Sequence, residues 1–465
     1  MKKLTLAAAI ASFGAAVPAC AIESHAIQNV RGQPVFEFKF YSPADGVYAQ
    51  LGDEELASER EWPRFEIDAI VKGGHYWAQM IMPKGNDGPA IMNIGASLVE
   101  RNASALSPVV SGDYRTMVHL KVDGELNHPD YKDFSLHGLA NFGYLQAEPH
   151  ETVMNLPRGD VYDLVAAAIH ELAHALGIST DGYEPQPYFP QFGSDLGMGV
   201  LMVDDHGRPA RPDQPILCDF CDHPYDPEAF DVRAERGRVV GPNINEVLEG
   251  ALPGVPVAMH AYWGDVRIYN PGMMSHLELK NAAMSHQLYR NYVGLMEADL
   301  AVLQDLGWTI DRRLMFGRSV YGSGLNIVND RGYYARTPDG TAYVPGEYNR
   351  ALLGMGLHVY GSHNDIRQVA DLLSAGEGGA GIRIDGEGNT LRIDPGVRVH
   401  ANGPDGNGVI FAYGRNHVLV HRGDIEALGT SGVGLRFDFG DNMIPNDGEY
   451  RGSYIHQVHE EPFGP

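Results

Sequence analysis

The stretch IHELAHALG, residues 169–177, contains two histidines four residues apart with a glutamate between them. Side chains at this spacing lie on one face of a helix, one turn from each other. The imidazoles of His170 and His174 can therefore converge on one Zn²⁺, while Glu171 lies beside the metal as a general base. The sequence thus predicts a catalytic zinc site on a helix.

The residues around this motif predict that the helix is buried. Asp160 can cap its start, with Asp163 three residues later in a capping-box-like arrangement. The run from Val161 to Leu176 is apolar on almost every face, as in buried helices. Histidines and a glutamate buried there need a partner, and a metal supplies one. Gly177 follows the last helical position, where glycine readily forms a left-handed cap.

Catalytic zinc takes three protein ligands and leaves a fourth position for water, so a third ligand is required. The residues HExxHxxG resemble the beginning of the metzincin protease signature HExxHxxGxxH. The final histidine of that signature falls on Thr180, which cannot replace it, and Asp181 is an alternative ligand one residue too far along. This departure excludes a simple matrixin-like or astacin-like arrangement.

A later segment is similar to that of leishmanolysin-like metzincins, in which the third histidine follows a long insertion and precedes the methionine of the Met-turn. The segment is HLELKNAAMSH, residues 276–286. The resemblance implies His276 as the third ligand and Met284 as an apolar floor under the zinc. Residues 181–270, rich in proline, glycine and aspartate, would form the insertion.

Other residues are alternatives or additions to this site. His260 is the alternative third ligand, with Met273 or Met274 then forming the floor. Many metzincins place a tyrosine two residues after the Met-turn methionine, near the transition-state oxyanion. This chain has His286 at that position and Tyr289 three residues further, and either is a candidate hydrogen-bond donor to the oxyanion.

The rest of the first 315 residues is consistent with such a domain. Strand-like runs at residues 36–40 and 117–122 predict a sheet that packs over the zinc helix, and residues 292–308 predict a closing helix that ends at a glycine. The resemblance implies an α+β, metzincin-like catalytic domain over residues 22–315. Its activity would be zinc-dependent endopeptidase chemistry, in which a zinc-activated water attacks the peptide bond and Glu171 is the general base.

The N-terminus predicts export. Lysines at positions 2 and 3, an apolar run from Leu4 to Val17 and the sequence Ala19-Cys20-Ala21 predict a signal peptide over residues 1–21. The apolar run is too short to span a membrane. The net charge of −25 argues against nucleic acid and acidic membranes as partners and leaves a protein or peptide substrate. We expect the chain to pass the periplasm and to be secreted, or held at the surface, by a Gram-negative-type bacterium.

Two cysteines remain after the signal peptide. Cys218 and Cys221 are separated by two residues within the insertion. In an oxidising compartment this spacing favours a local disulfide. With His223 they supply only three ligands, which falls short of a structural zinc set.

The C-terminal third contains a repeat. Four glycines, each opening a short strand-like segment, recur at intervals of 25, 27 and 26 residues, and an asparagine follows each of them eight residues later. A fixed period of short strands is typical of β-solenoids, in which such asparagines stack in ladders. The pairs are Gly356 and Asn364, Gly381 and Asn389, Gly408 and Asn416, and Gly434 and Asn442.

This pattern resembles the parallel β-helix of autotransporter passenger domains. The resemblance implies a right-handed parallel β-helix over residues 351–465, preceded by a transition over residues 316–350. Autotransporters end in a translocator barrel, and the sequence leaves open whether this chain is a fragment lacking one.

Two functions follow from the sequence. The first is the zinc endopeptidase, with the solenoid as a stalk or substrate-positioning module. The second is an adhesin-like surface protein whose solenoid binds a host or matrix ligand. The intact His-Glu-His set favours the enzyme, because a binding protein has no need of Glu171.

Overall fold

The computed structural model describes the chain in stretches separated by gaps. Within these stretches the fold is mixed α+β, with few helices and many strands, and the C-terminal strands pair mainly in parallel. The predicted α+β class is therefore confirmed. The described stretches are residues 22–51, 54–82, 89–100, 103–106, 139–144, 164–180, 182–183, 191–193, 196–217, 226–233, 237–257, 260–263, 266–269, 274–279, 282–284, 295–332, 344–412, 414–437, 443–444 and 448–449.

A five-stranded sheet forms the N-terminal part. The strands up to residue 144 are β1 (Glu23–Gln28), β2 (Pro34–Phe40), β3 (Val47–Leu51), β4 (Glu54–Ala57), β5 (Ala90–Glu100), β6 (Ala103–Leu106) and β7 (Leu139–Tyr144). The sheet has the order β1-β2-β5-β7-β6, parallel in its centre and antiparallel at both edges, while β3 and β4 form a separate hairpin. The strand predicted at residues 36–40 is confirmed within β2. The one predicted at residues 117–122 lies outside the described residues.

The motif helix ends where the sequence predicted. It is helix α2 (Leu164–Leu176), and it follows α1 (Arg64–Ala78) in the chain. Gly177 has a positive φ of 119°, and its N–H donates to the carbonyl of His174 at 3.0 Å. This is the expected glycine stop. The predicted caps Asp160 and Asp163 lie outside the described residues.

Helix α1 was not predicted from the sequence; it packs against both the sheet and α2. Two adjacent glycines allow this close approach. A Cβ at Gly73 would lie 2.9 Å from the Cβ of Ala168 on α2, and a Cβ at Gly74 would lie 2.6 Å from the ring of Phe38 on β2. Glycine lowers helix propensity. The local sequence therefore does not indicate this helix, although its packing against the sheet and α2 requires glycine at these two positions.

The described residues of the predicted insertion form short elements that pack into the core. Its apolar side chains join the same core as the sheet and the two helices; Phe192 and Phe230, for example, meet edge to face at 5.0 Å. Its described elements are β8 (Gly182–Tyr183), β9 (Gln191–Phe192), a 3₁₀ helix (Gly197–Leu201), β10 (Met202–Val203), β11 (Ile216–Leu217), β12 (Phe230–Asp231), β13 (Arg238–Val239), α3 (Pro242–Leu248), β14 (Val255–Pro256), β15 (His260–Trp263) and β16 (Val266–Tyr269).

The predicted closing helix is present as α4 (Glu297–Asp305). Its first turn is capped by Asp299, whose Oδ2 accepts the N–H of Met296 at 2.9 Å. Asp299 is fully buried, and burial raises the pKa of its carboxyl to about 7. Gly307, with a φ of 105°, follows the helix, as the sequence predicted.

Three parallel sheets lie within residues 316–437, and we call their described residues the parallel-sheet region. Their orders are β17-β19-β22-β25-β28, β18-β20-β23-β26 and β21-β24-β27, and β29 and β30 form a separate antiparallel hairpin. The strands are β17 (Phe316–Val320), β18 (Asn326–Asn329), β19 (Met355–Val359), β20 (Asp365–Gln368), β21 (Leu372–Ser374), β22 (Ala380–Ile384), β23 (Thr390–Ile393), β24 (Arg398–Ala401), β25 (Asn407–Phe411), β26 (Val418–His421), β27 (Asp424–Glu426), β28 (Val433–Phe437), β29 (Met443–Ile444) and β30 (Gly448–Glu449).

The four repeated segments pair in register. Leu357, Ile382, Val409 and Leu435 lie opposite one another on successive strands, as the spacing of the glycines predicted. The predicted transition at residues 316–350 also carries strands, since β17 and β18 pair with β19 and β20. Gly317 precedes Gly356 by 39 residues, so this first pair of strands is hidden from a search at the shorter period.

The asparagine ladder is present at its first two members. Asn389 Oδ1 accepts the N–H of Asn364 at 2.9 Å, and Asn364 Oδ1 accepts the N–H of Leu325 at 2.8 Å. The buried asparagines thus satisfy main-chain donors of the neighbouring strand connection.

The prediction for the third asparagine was wrong. Leu391 lies opposite Leu419, not Val418, so the residue aligned with Asn389 is His417. Its Nδ1 accepts the N–H of Asn389 at 3.2 Å. One additional residue before β26 shifts the register and leaves Asn416 exposed with a φ of 58°. Asn442 lies outside the described residues.

The sheet containing β19, β22 and β25 separates two cores. On one face, Leu357, Ile382 and Val409 lie in the core of the parallel-sheet region. On the other face, His358 and Arg383 are fully buried, and Ile410 joins the core that contains α1 and α2. The parallel-sheet region is therefore packed laterally against the helices.

Buried charges lie on this second face. His358 Nε2 donates to Asp385 Oδ2 at 2.6 Å, and Arg383 Nε donates to the same oxygen at 3.1 Å. Burial lowers the pKa of His358, which keeps the imidazole neutral. Burial alone would raise the pKa of Asp385, but the charge of Arg383 and the bond from His358 hold it below its ordinary value. The opposite charges of Arg383 and Asp385 therefore neutralise each other where the sheet packs against the helices.

Asp299→Asn should remove a pH dependence of stability. The pKa of the Asp299 carboxyl rises from 3.8 to about 7 on folding, so the folded chain retains a proton that the unfolded chain releases above its own pKa. Its contribution is complete below about pH 4 and is lost as pH rises through about 7. Urea unfolding at pH 5 and pH 8 should therefore show a smaller fall in stability for Asp299→Asn than for the unmodified chain. Equal falls would contradict the shift.

Gly73→Ala should separate α1 from α2. The added methyl meets the Cβ of Ala168 at 2.9 Å, and overpacking of this kind costs about 1–3 kcal/mol. Urea unfolding measures the loss. Asp68→Ala is the matched control, since Asp68 is an exposed residue of the same helix. A stability unchanged from the unmodified chain would show that the helices can relax around the methyl.

Candidate metal site

Helix α2 presents the two motif histidines to one side of the core. His170 and His174 lie one turn apart, and both are buried, as is Glu171. Their ring centroids are 4.7 Å apart and the rings are nearly perpendicular. The helix thus directs two imidazoles to a common point.

His276 is brought to the same point from far along the chain. Its ring centroid lies 5.0 Å from that of His170 and 5.0 Å from that of His174. One ring nitrogen from each of the three residues lies within 4.8 Å of the other two, and His276 is half-buried. Within the described stretches, this is the group of histidine, cysteine and acidic residues arranged to hold a metal ion.

The outer nitrogens of the two motif histidines bind main-chain carbonyls. His170 Nδ1–H donates to the carbonyl oxygen of Ala283 at 2.6 Å, and His174 Nδ1–H donates to that of Ile178 at 2.6 Å. A carbonyl oxygen only accepts, so each Nδ1 carries the ring proton. Each Nε2 of the neutral rings therefore presents its lone pair to the other ring.

These lone pairs make the donor set suitable for a cation. The Nε2 atoms of His170 and His174 are 3.0 Å apart. Two nitrogens bound to one tetrahedral zinc at about 2.0–2.1 Å are about 3.3 Å from each other. Two lone pairs at such a distance repel unless a positive charge lies between them. The three imidazoles therefore fit a metal ion with nitrogen ligands.

Two tryptophans hold the main chain of α2. The indole N–H of Trp77 on α1 donates to the carbonyl of Ile169 at 2.9 Å, and that of Trp308 donates to the carbonyl of Leu176 at 2.7 Å. Leu176 is in the last turn, where helix carbonyls lack an intrahelical donor. These bonds fix the residue before His170 and the end of the helix after His174.

The segment around Met284 touches both parts of the site. Met284 is fully buried, and its carbonyl accepts the N–H of Leu277 at 3.0 Å. The preceding carbonyl, of Ala283, accepts the proton of His170. The segment therefore joins the chain after His276 to the ring of His170, which is where the predicted Met-turn would lie.

Several predicted site residues lie outside the described part of the chain. These are Asp181, His286, Tyr289, Cys218, Cys221 and the side chain of His260, whose main chain is in β15 opposite Tyr269. Their predicted roles stay predictions.

The groups that orient the histidines were not predicted from the sequence. Trp77, Trp308 and the carbonyls of Ala283 and Ile178 act through contacts between distant residues, and no local pattern marks them. Tryptophan is rare in this chain, with 4 in 465 residues, which is a weak signal at best.

Comparisons with protein-family models, with curated proteins and with solved structures find no match. Among the residues that the structure describes, none of the helices has the length and hydrophobicity needed to span a bilayer.

His276→Ala should weaken zinc binding much more than His260→Ala. Structural zinc sites with four ligands bind with about 10–16 kcal/mol, so one ligand accounts for about 3 kcal/mol, or roughly a hundredfold in Kd. Competition with a chelating dye measures the Kd of both variants. The opposite order would transfer the third-ligand role to His260.

Proposed function

We propose that this chain is a zinc-dependent endopeptidase of the metzincin type. The observation that supports the proposal is the convergence of His170, His174 and His276 on one point, together with the burial of Glu171, the residue that follows His170 on the helix. Three protein ligands with one open position are the arrangement of catalytic rather than structural zinc sites.

The three imidazoles suit zinc and other transition metals more than calcium or magnesium. Imidazoles also bind copper, iron and nickel, whereas calcium and magnesium prefer oxygen ligands. The two histidines on one helix, with a glutamate after the first, are the arrangement that zinc proteases use. When bound, zinc would supply a Lewis acid that polarises the scissile carbonyl and acidifies water.

Glu171 would carry the proton in the reaction. As a carboxylate on the same helix as His170 and His174, it would accept a proton from the attacking water and then donate it to the leaving amine. The bonds from Nδ1 to the carbonyls of Ala283 and Ile178 would keep both imidazoles in the binding tautomer throughout. His286 or Tyr289 would donate a hydrogen bond to the developing oxyanion.

The architecture that we propose matches this function. Residues 22–315 would be the metzincin-like unit, with residues 181–270 as its insertion stapled by a Cys218–Cys221 disulfide. The parallel-sheet region would be a right-handed β-solenoid, as in autotransporter passengers. Three sheets of parallel strands with a near-constant period support it. A signal peptide at residues 1–21 would export the enzyme to its protein or peptide substrates.

The adhesin-like alternative receives less support. On the outer surface of the parallel-sheet region, Arg367 pairs with Asp394 and Arg392 with Asp365, each pair bridging successive strands. Because these charges pair with one another, they stabilise the contact between neighbouring repeats and do not form a ligand-binding patch. We therefore assign the function to the histidine site.

Glu171→Gln should retain zinc and lose turnover. Glutamine has nearly the shape of glutamate but cannot accept the proton, and general-base catalysis contributes about 10²–10⁴ in rate. Zinc content is measured by elemental analysis of purified residues 22–465, and turnover by cleavage of casein or gelatin.

The matched control is His276→Ala, which should bind zinc much more weakly and lose cleavage. Chelator treatment of the unmodified chain should abolish cleavage, and added zinc should restore it. Cleavage that survives in Glu171→Gln at the unmodified rate would remove Glu171 from the mechanism.

A further inference from the structure

The residue before His276 binds the chain that follows the motif helix. Ser275 Oγ accepts the N–H of Thr180 at 3.1 Å and donates to the carbonyl of Thr180 at 3.3 Å. One hydroxyl therefore satisfies both main-chain groups of a residue 95 positions away.

Thr180 is itself tied to the motif helix. Two residues before it, the carbonyl of Ile178 accepts the Nδ1 proton of His174, and the N–H of Ile178 donates to the carbonyl of Ala173 at 3.0 Å. The path from His174 to Thr180 is thus fixed. A group bonded to the main chain of Thr180 is held at a fixed place relative to the ring of His174.

The other end of the segment is held as well. The N–H of Leu277 donates to the carbonyl of Met284, and Leu277 forms an isolated antiparallel bridge with Val257. His276 therefore lies between two anchored neighbours, Ser275 towards α2 and Leu277 towards the segment of Met284.

We infer that Ser275 is the positioning residue for the third metal ligand, an inference that rests on the proposed zinc site. Thr180 stands at the position where an uninterrupted signature has its last histidine. The hydroxyl of Ser275 bonds to the main chain of Thr180 and thereby holds His276 beside that position. A contact between distant residues thus places the third histidine where an uninterrupted signature would place it by sequence.

The pair of hydrogen bonds between Ser275 and Thr180, which we call the clasp, has an entropic consequence for metal binding. Ordering the main chain of a residue costs conformational entropy. Because the hydroxyl of Ser275 holds the main chain directly before His276, the metal meets a third ligand already in place. Without the hydroxyl, binding of the metal must also order Ser275 and His276, while Leu277 stays held by its own hydrogen bond and β-bridge.

Ser275→Ala should therefore raise the Kd for Zn²⁺ about 10–100-fold, the effect typical of groups that orient a ligand. Ser275→Thr keeps the hydroxyl and should bind zinc within about threefold of the unmodified chain. Competition with a chelating dye measures each Kd. Equal affinities for the alanine and threonine variants would overturn the inference.

A double-mutant cycle separates positioning from general loss of stability. In a His276→Ala background there is no third imidazole to position, so Ser275→Ala should change the Kd no further. If the two substitutions multiply their effects, Ser275 acts on the fold as a whole and the inference fails. The absorption spectrum of bound Co²⁺ gives a second readout, since Ser275→Ala should alter the coordination bands while Ser275→Thr preserves them.

Hydrogen exchange of the metal-free protein tests the clasp independently of any metal. The amide of Thr180 should exchange at least about tenfold faster in Ser275→Ala than in Ser275→Thr, because only the latter retains its acceptor. Unchanged exchange would overturn the clasp even if zinc binds. If the unmodified chain binds no zinc while Thr180 stays protected, the proposed function falls and the ligand-positioning role falls with it, but the contact itself is established.

Discussion

Two imidazoles and a carboxylate buried in an apolar helix are the constraint on which the rest of this structure depends. Buried polar groups destabilise a fold unless they are bonded, so each imidazole of α2 donates its outer proton to a main-chain carbonyl, His170 to Ala283 and His174 to Ile178. Both carbonyls follow α2 in the sequence, that of Ile178 directly after the helix and that of Ala283 about a hundred residues later. Satisfying the two imidazoles therefore fixes the chain just after the helix and also the distant segment that lies beside the third imidazole.

Helix α1 connects α2 to the parallel-sheet region through contacts on both of its sides. On one side, Gly73 brings it against α2 and Trp77 binds the carbonyl before His170. On the other side, Gln79 exchanges two hydrogen bonds with the main chain of Leu352, at 3.0 and 2.8 Å, and Lys72 pairs with Glu377 at 2.5 Å. The parallel-sheet region thus contacts the helix that holds the metal-site helix. It is therefore part of the scaffold of the candidate site.

The sequence predicted the features that depend on near neighbours and missed those that depend on distant ones. The motif helix with its stop at Gly177 and the strands at a fixed period were predictable because each is encoded within one or two turns or one repeat. Helix α1 was missed because Gly73 and Gly74 serve a packing contact that no local propensity reveals. The register of β26 was misread because a single additional residue places His417, not Asn416, opposite Asn389. At the site, the family resemblance predicted His276 as a ligand. The role of Ser275 could not be predicted, because it depends on a contact with Thr180 that only the structure shows.

A row of aligned residues across the parallel sheet shows how far the helices cover this face of the sheet. Ser319, His358, Arg383, Ile410 and Arg436 lie opposite one another on β17, β19, β22, β25 and β28. The first four are buried and Arg436 is half-buried. A row on a uniformly exposed face would be polar throughout, whereas here an ionic network in β19 and β22 gives way to an apolar residue in β25. His358 and Arg383 both bond Asp385 within the parallel-sheet region, so the helices can cover these charges without leaving one of them unpaired. The apolar residues of this face, among them Ile410, then form the stabilising contact with the core that contains α1 and α2.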